Sequence, residues 1–151
     1  MQRRQGFTLL ELLMVLAIIG ILASIFSWNL IRSIRTAELR EAATQVATDL
    51  RRARSQAQRG SAAVQLTLPG TAGGTTYTVA GQSRAVANQV TIVCKTSCSA
   101  STVNVTYTAP YGELGATGSV FTVRSPVGGI TPYEIRIVGV TGKVILTRAA
   151  S

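Results

Sequence analysis

The chain has 151 residues, a net charge of +9 and no histidine. After an apolar N-terminal stretch, about 120 residues remain, which is enough for one small domain. With no histidine and two cysteines, the chain lacks the ligands of a zinc site, and we expect neither a metal nor a cofactor. Thirteen of its fifteen basic residues are arginines. Arginine suits phosphate and carboxylate partners, although a solvated basic surface would have the same composition.

The N-terminal stretch is an uncharged run from Leu12 to Ile31, preceded by Glu11 and by Arg3 and Arg4. As a helix it would span roughly 30 Å, the thickness of the hydrocarbon core of a bilayer. A cleavable secretory signal would have a shorter apolar core and a small-residue cleavage site, which is not found before Trp28. A plain membrane anchor fits the length but leaves Glu11 unexplained, because an intramembrane carboxylate is costly and usually functional. A retained polymerisation element is the third interpretation.

The residues Met1–Gly6 followed by Phe7–Glu11 carry a specific motif: a short basic leader, a glycine, a phenylalanine and a glutamate five residues into an apolar helix. This arrangement resembles the class III signal of type IV pilins and type II secretion pseudopilins. The resemblance implies cleavage between Gly6 and Phe7 by a prepilin peptidase, methylation of the new amino group of Phe7, and retention of the apolar helix as the core of a filament.

Glu11 has a physical reason to be retained in such a filament. An ionised carboxylate in hydrocarbon needs a cation, and the freed amine of Phe7, from the same or a neighbouring subunit, would supply one. We therefore predict that this pair sets the axial register when a subunit is added.

A second helical segment, from Ser27 to Arg59, differs from the first in its pattern. Small and apolar residues recur every three or four positions and predict one buried stripe: Leu39, Ala43, Val46, Leu50, Ala53 and Ala57. Gly60 is expected to end the helix after a basic last turn. The opposite face, predicted to be solvated, carries Arg32, Arg35, Arg40, Arg51, Arg52, Arg54 and Arg59 against Glu38, Glu41 and Asp49.

From Ser61 onward the pattern is one of short strands separated by glycine or proline, which predicts a pair of antiparallel sheets. The expected strands are 64–68, 76–79, 90–94, 102–108, 119–124, 133–138 and 143–147, and 109–118 is expected to be the longest loop. Cys94 and Cys98 either form a disulfide at the tip of a hairpin or are free or intermolecular thiols; we favour the disulfide, which an exported chain permits.

Two further segments are similar to the FimT/GspH group of pilins. They are the helix over 37–57, which leads into a strand at 63–68, and the closing hairpin formed by 133–138 and 141–144. This resemblance implies an α+β pilin fold, with a long N-terminal helix packed on an antiparallel β-sheet or sandwich head.

Catalysis is not expected. Glu113 and Glu134 are the acids beyond the helix, have no supporting motif, and are interpreted as solvated surface residues. Gly139–Lys143 lacks the spacing of a phosphate-binding loop and is interpreted as a hairpin turn.

Some FimT-like pilins bind DNA through a basic C-terminal region, which makes Arg124, Arg136, Lys143 and Arg148 candidate contacts. Such contacts would be to phosphates and largely independent of sequence. The DNA-binding members have Gly-Arg-x-Arg, whereas this chain has Gly142-Lys143-Val144-Ile145, with one basic residue in the motif.

The sequence thus predicts a leader over 1–6, a transmembrane and filament-core helix over 7–31, an amphipathic helix over 32–60 and a β-rich head over 61–151. The predicted function is that of a minor type IV pilin, with a GspH-like pseudopilin and a DNA-binding receptor pilin as alternatives. The predicted partners are other pilins, the peptidase, the inner-membrane assembly platform and, for the receptor alternative, DNA. The subunit would wait in a bacterial inner membrane with its N-terminus cytoplasmic and its head outside. It would then enter a surface pilus or periplasmic pseudopilus.

Overall fold

The computed structural model describes residues 8–115 and 117–150, without the side chains of residues 26 and 28. Residue contacts divide the chain into two units, Met1–Ile34 and Arg35–Ser151. We call the second unit the head.

The helix α1 runs from Leu9 to Arg59. No proline interrupts this stretch, and its last turn carries the basic Arg59, which suits the negative end of the helix dipole. The amide of Gly60 donates to the carbonyl of Gln56 at 2.8 Å. The helix therefore ends where the sequence predicts, but Gly60 does not take the left-handed conformation common at this position.

In the described part of the chain, nine strands follow the helix and form two antiparallel sheets. The first sheet has the order β3-β2-β1-β5-β6 and the second has the order β4-β7-β8-β9. The strands are β1 Val64–Pro69, β2 Thr76–Val79, β3 Gln82–Ala85, β4 Thr91–Thr96, β5 Thr102–Thr108, β6 Glu113–Leu114, β7 Ser119–Arg124, β8 Tyr133–Ile137 and β9 Val144–Arg148.

All seven predicted strands are present, with ends shifted by no more than two residues. The sequence missed β3 and β6. β3 consists mostly of polar residues and has no alternating apolar pattern. β6 is two residues long and lies inside 109–118, so the prediction of a loop throughout that segment is wrong.

The core of the head lies between α1 and the two sheets. In the first sheet Leu66 pairs with Val105 and Leu68 with Val103, so their side chains share the buried face. All six residues of the predicted helical stripe are completely buried. The sequence did not single out Ala42 and Ala47, which are equally buried and widen the stripe. The small alanines allow close approach to the helix.

Asp49 contradicts the prediction that it lies on the solvated face of the helix. It is buried, and its Oδ2 accepts a hydrogen bond of 2.6 Å from the Tyr77 hydroxyl of β2. Arg84 of β3 donates to both carboxylate oxygens, at 2.9 and 3.0 Å. Burial and the hydrogen bond to Asp49 raise the pKa of Tyr77 well above its usual value. This group of three residues ties the β2–β3 hairpin to α1.

The outer edge of each terminal strand carries a contact. β4 forms a bridge between Ile92 and Gly74, and β6 forms one between Leu114 and Val140. The Gln45 amide donates to the Ala85 carbonyl of β3, and the Arg51 guanidinium donates to the Val144 carbonyl of β9, both at 3.4 Å. The first two contacts join one sheet to the other, and the last two join the helix to both sheets.

The loop before β6 and the turn before β9 approach each other closely at two glycines, Gly112 and Gly142, both with positive φ. A Cβ on Gly142 would lie 2.7 Å from the Tyr107 ring and 2.9 Å from the Gly112 carbonyl oxygen. Beneath them, the Tyr107 hydroxyl and the Arg54 Nε are buried without a hydrogen-bond partner among the described residues. Arg54 was predicted to be solvated but is half-buried.

We predict that Asp49→Ala destabilises the head by about 2–3 kcal/mol, because the Tyr77 hydroxyl loses its acceptor inside the core and Arg84 loses its ion pair. The control is Glu38→Ala, which removes a more exposed pair with Arg35 on the same helix and should cost less than about 1 kcal/mol. Urea unfolding of residues 35–151, followed by circular dichroism, measures both. Equal losses would show that the buried network has no special role.

The buried Tyr107 predicts a pH dependence of stability at alkaline pH. Burial raises the pKa of Tyr107 to about 12, against a smaller opposing effect of Arg54. Between pH 10 and 12 the unfolded chain releases this proton while the folded head keeps it, so stability falls as pH rises, by about 1.4 kcal/mol per unit.

Tyr107→Phe should remove the part of the fall in stability between pH 10 and 12 that Tyr107 causes. At pH 7 it should leave stability unchanged or raise it by up to about 1 kcal/mol, since the lost hydroxyl has no partner among the described residues. Urea unfolding at pH 7 to 12 checks this. The contribution of Tyr77 is common to both proteins, so parallel stability curves for the two proteins would contradict the prediction.

Candidate functional site

The start of α1 is capped by Thr8. The Glu11 amide donates to the Thr8 carbonyl at 3.1 Å and to the Thr8 hydroxyl at 3.3 Å. Thr8-x-x-Glu11 has the sequence signature of a capping box, which was not among the predictions. Glu11 is exposed in the first turn, where a negative charge is also favoured by the helix dipole. Capping is therefore a second role to be separated from pairing with an amine.

The apolar part of α1 is exposed along its described side chains. Leu12, Leu13 and Met14, which successive turns of about 100° place on three sides of the helix, all have at least half of their surface exposed. By length and composition this helix is a candidate for crossing a membrane. A helix that is apolar all round needs an apolar environment on every side.

Two serines within this apolar part use their hydroxyl groups internally. Ser24 donates to the carbonyl of Ile21 at 2.7 Å, and Ser27 donates to the carbonyl of Ala23 at 2.9 Å. Their hydrogens therefore need no water, which suits a helix surrounded by lipid or by other apolar helices.

Gly6 and Phe7, the predicted cleavage and methylation site, lie outside the described residues. The same holds for the predicted amine partner of Glu11. These assignments stay predictions that rest on the sequence motif.

Cys94 and Cys98 are joined by a disulfide, with their Cα atoms 5.7 Å apart. The bond is not at the tip of a hairpin, as we expected, because β4 and β5 belong to different sheets. It instead closes the corner where the chain passes between the sheets. The segment after Cys98 packs against Gly70, whose amide donates to the Ser101 carbonyl at 2.8 Å. A Cβ on Gly70 would overlap the Ser99 carbonyl oxygen.

The four candidate DNA contacts lie in two pairs. Arg136 and Lys143 are near the β8–β9 turn, where Val138 bonds to Lys143. Arg124 and Arg148 are near the other end of the second sheet, about 13 Å away along the strands. Arg148 is engaged with Tyr133, its Cζ lying 5.9 Å from the ring centroid. The structure therefore does not gather the four residues into one groove.

The two glutamates of the sheets differ in exposure: Glu134 is largely buried and Glu113 is exposed. Glu134 lies on the face of the second sheet turned away from the core, and Lys95 donates to it at 2.8 Å. Its side chain is 14% exposed, so the prediction of a solvated residue is wrong for Glu134. Glu113 is exposed, as predicted. Among residues 8–115 and 117–150 we find no cluster of three or more His, Cys, Asp or Glu side chains that could hold a metal.

A long helix with an exposed apolar start, joined to a head of two antiparallel sheets, is the architecture of a pilin-like structural subunit. Residues 1–27 match the family profile described as prokaryotic N-terminal methylation motif, and residues 42–149 match the profile described as Type II transport protein GspH. The chain belongs to the GspH family of pilin-like proteins.

Solved structures support the fold. The chain is similar to two crystal forms of the type IV minor pilin FimU from Pseudomonas aeruginosa PAO1. The first has a TM-score of 0.60 and 19% identity, covering 76% of this chain and 95% of that one. The second has a TM-score of 0.57 and 17% identity, covering 74% and 98%. Among curated protein sequences, none is significantly similar to this chain.

We predict that replacing both cysteines by serine destabilises the head by roughly 2 kcal/mol, because the short closed loop removes little entropy from the unfolded chain. The replacement should not unfold the head, since the hydrogen bonds to the Gly70 segment remain. Gly70→Ala should cost more than the cysteine change, because backbone at the same corner must move. Thermal unfolding followed by circular dichroism ranks the two variants, and the reverse order would contradict this account.

Proposed function

We propose that this chain is a minor pilin of a type IV pilus. The observation that carries the proposal is the pairing of the methylation motif over 1–27 with an apolar helix whose described side chains are exposed. In this proposal a peptidase cleaves after Gly6, the amine of Phe7 is methylated, and the helix is kept. The segments are then a leader over 1–6, a filament-core helix over 7–31, an amphipathic helix over 32–60 and the β-rich part of the head over 61–151.

Before assembly, the apolar helix holds the subunit in the inner membrane. Arg3 and Arg4 favour a cytoplasmic N-terminus, since basic residues flanking a membrane span stay on that side. The head then lies outside the cytoplasm, where a disulfide between Cys94 and Cys98 can persist. The assembly platform and neighbouring pilins take up the processed subunit from this position.

Assembly transfers the apolar helix from lipid to a bundle of similar helices. Glu11 loses its access to water in this step, and its ionised form then requires a cation. The amine of Phe7 on an adjacent subunit supplies that cation and fixes how far the new subunit advances along the axis. The work of the molecule in this proposal is assembly rather than turnover of a substrate.

A pseudopilin of a type II secretion system is the second candidate, because the matching family profile carries that description. Expressing the chain in cells that lack one filament system or the other separates the two. Incorporation that depends on the secretion system alone would support the pseudopilin and contradict the pilus proposal. DNA binding stays a prediction, and the separation of its candidate residues into two pairs gives it no support.

We predict that Glu11→Gln leaves the chain processed and in the membrane but reduces its incorporation into sheared filaments at least tenfold, roughly the effect of losing one intramembrane charge pair. Glutamine keeps the capping capacity of glutamate and removes only the charge. Thr8→Ala is the matched control, since it removes the cap and keeps the charge.

Immunoblots of membranes and of sheared filaments measure both variants. If Glu11→Gln assembles normally while Thr8→Ala fails, Glu11 acts through the helix start and the charge-pair hypothesis is wrong.

A further inference from the structure

Three exposed arginines line one face of the head's part of α1. Arg51 and Arg52 lie seven to eight residues before Arg59 along the helix, so the three share a face about 12 Å long. We call these three residues the arginine stripe. Ser55 lies between them, and Thr48 lies one turn before them on the same face. Both are short and uncharged, so a partner surface can approach the helix closely.

Two of the arginines are already held in place by the head. Arg59 donates to the Ser55 hydroxyl at 2.9 Å and to the Ser55 carbonyl at 3.3 Å. Arg51 donates to the Val144 carbonyl at 3.4 Å. Holding a guanidinium beforehand lowers the entropy lost when it binds a partner. The stripe is thus a preorganised row of cations on a rigid element.

The head offers few carboxylates that could answer this stripe. Beyond Ile34 the sequence has twelve cationic side chains and five carboxylates, a net charge of +7. Three of the five are engaged within the head: Glu38 with Arg35, Asp49 with Arg84, and Glu134 with Lys95. In the described part of the head this leaves Glu41 and Glu113 exposed, and Glu41 lies on the same helix face as the stripe, about 15 Å before Arg51.

Contact between two copies of this chain at the stripe is therefore unfavourable. At physiological salt the net charges of two heads are largely screened beyond about 8 Å, so the charges at the contact itself decide the outcome. A second copy has only Glu41 and Glu113 as exposed carboxylates in the described part of its head to set against three arginines, and its own stripe would bring further positive charge. Like charges brought together in an interface are strongly disfavoured.

The stripe suits an acidic protein surface better than a nucleic acid. Arginine is enriched and lysine depleted where proteins pack against each other, and no lysine lies in this stripe. Three cations on one straight face would release few counterions from DNA and bind it weakly. The cations of the second sheet lie on other elements, and the stripe has no interleaved aromatic residue on which bases stack.

We propose that the arginine stripe docks onto an acidic surface of a different pilin subunit, so that this chain takes single positions between other subunits and does not form runs of its own. This inference rests on the proposed function and adds the charge of the neighbour to it. It also predicts which side of the head faces that neighbour in the filament.

The first experiment identifies what the stripe contacts. The full chain, with a photoreactive residue in place of the exposed Gln56 beside the stripe, is expressed in its host, and sheared filaments are irradiated. The expected product joins residue 56 to an acidic peptide of another pilin. A product containing two copies of this chain, a product with DNA, or no product from filaments that contain the chain would each overturn the proposal.

The second experiment tests the charge. The double variant Arg52→Glu and Arg59→Glu should lower incorporation at least about tenfold, as expected for like charges opposed in an interface. Changing the cross-linked carboxylates of the partner to lysine should restore it. The control, Arg124→Glu with Arg136→Glu, alters the net charge equally on two strands of the second sheet and should incorporate normally. Equal loss of incorporation in both double variants, or normal incorporation of the first, would refute docking through the arginine stripe.

The outcome for the unaltered chain keeps the two proposals distinguishable. Its absence from sheared filaments would refute the proposed function itself. Its presence, with normal incorporation of the stripe variant, would refute only the assignment of the acidic neighbour. Membrane levels of each variant, measured in the same cells, show whether the variant is folded and stable.

Discussion

The need to cover the apolar start of α1 governs the rest of this molecule. Burying a single leucine or isoleucine side chain contributes about 1.5–3 kcal/mol, and the exposed part of the helix carries more than ten of them. The total exceeds the stability of a small domain several times over. A folded head cannot compensate for leaving that surface in water. The start of the helix therefore requires lipid or other apolar helices around it, an environment that a membrane or a bundle of similar helices provides.

Much of the fold could be predicted because its signals are local. The helical stripe and the strands follow from spacing within a few residues, and the N-terminal motif lies within the first eleven. The position of Asp49 could not be predicted in this way. Among arginines on a helix an aspartate is expected to be exposed, and its burial depends on Tyr77 and Arg84, which come 28 and 35 residues later. Only the pairing of β2 with β3 brings them to the helix.

The candidate site divides in the same way. The residues proposed for processing and anchoring are contiguous, so the sequence alone predicts them. Whether the side chain of a basic residue is available to a partner depends on its neighbours in three dimensions. Arg148 and Arg84 are already engaged by Tyr133 and Asp49, whereas Arg52 faces outward. The disulfide shows the same limit: its spacing suggested a hairpin, but the chain turns a corner between two sheets there.

The contacts at the outer edges of the sheets have a consequence for how one head meets another molecule. An open strand edge templates pairing with a strand of a neighbouring chain. Here β4 and β6 are bridged by neighbouring loops, and helix side chains occupy carbonyls of β3 and β9. These contacts oppose edge-to-edge pairing of heads. In the proposed filament, contacts between subunits are then left to the apolar helix and to side chains on the surface of the head.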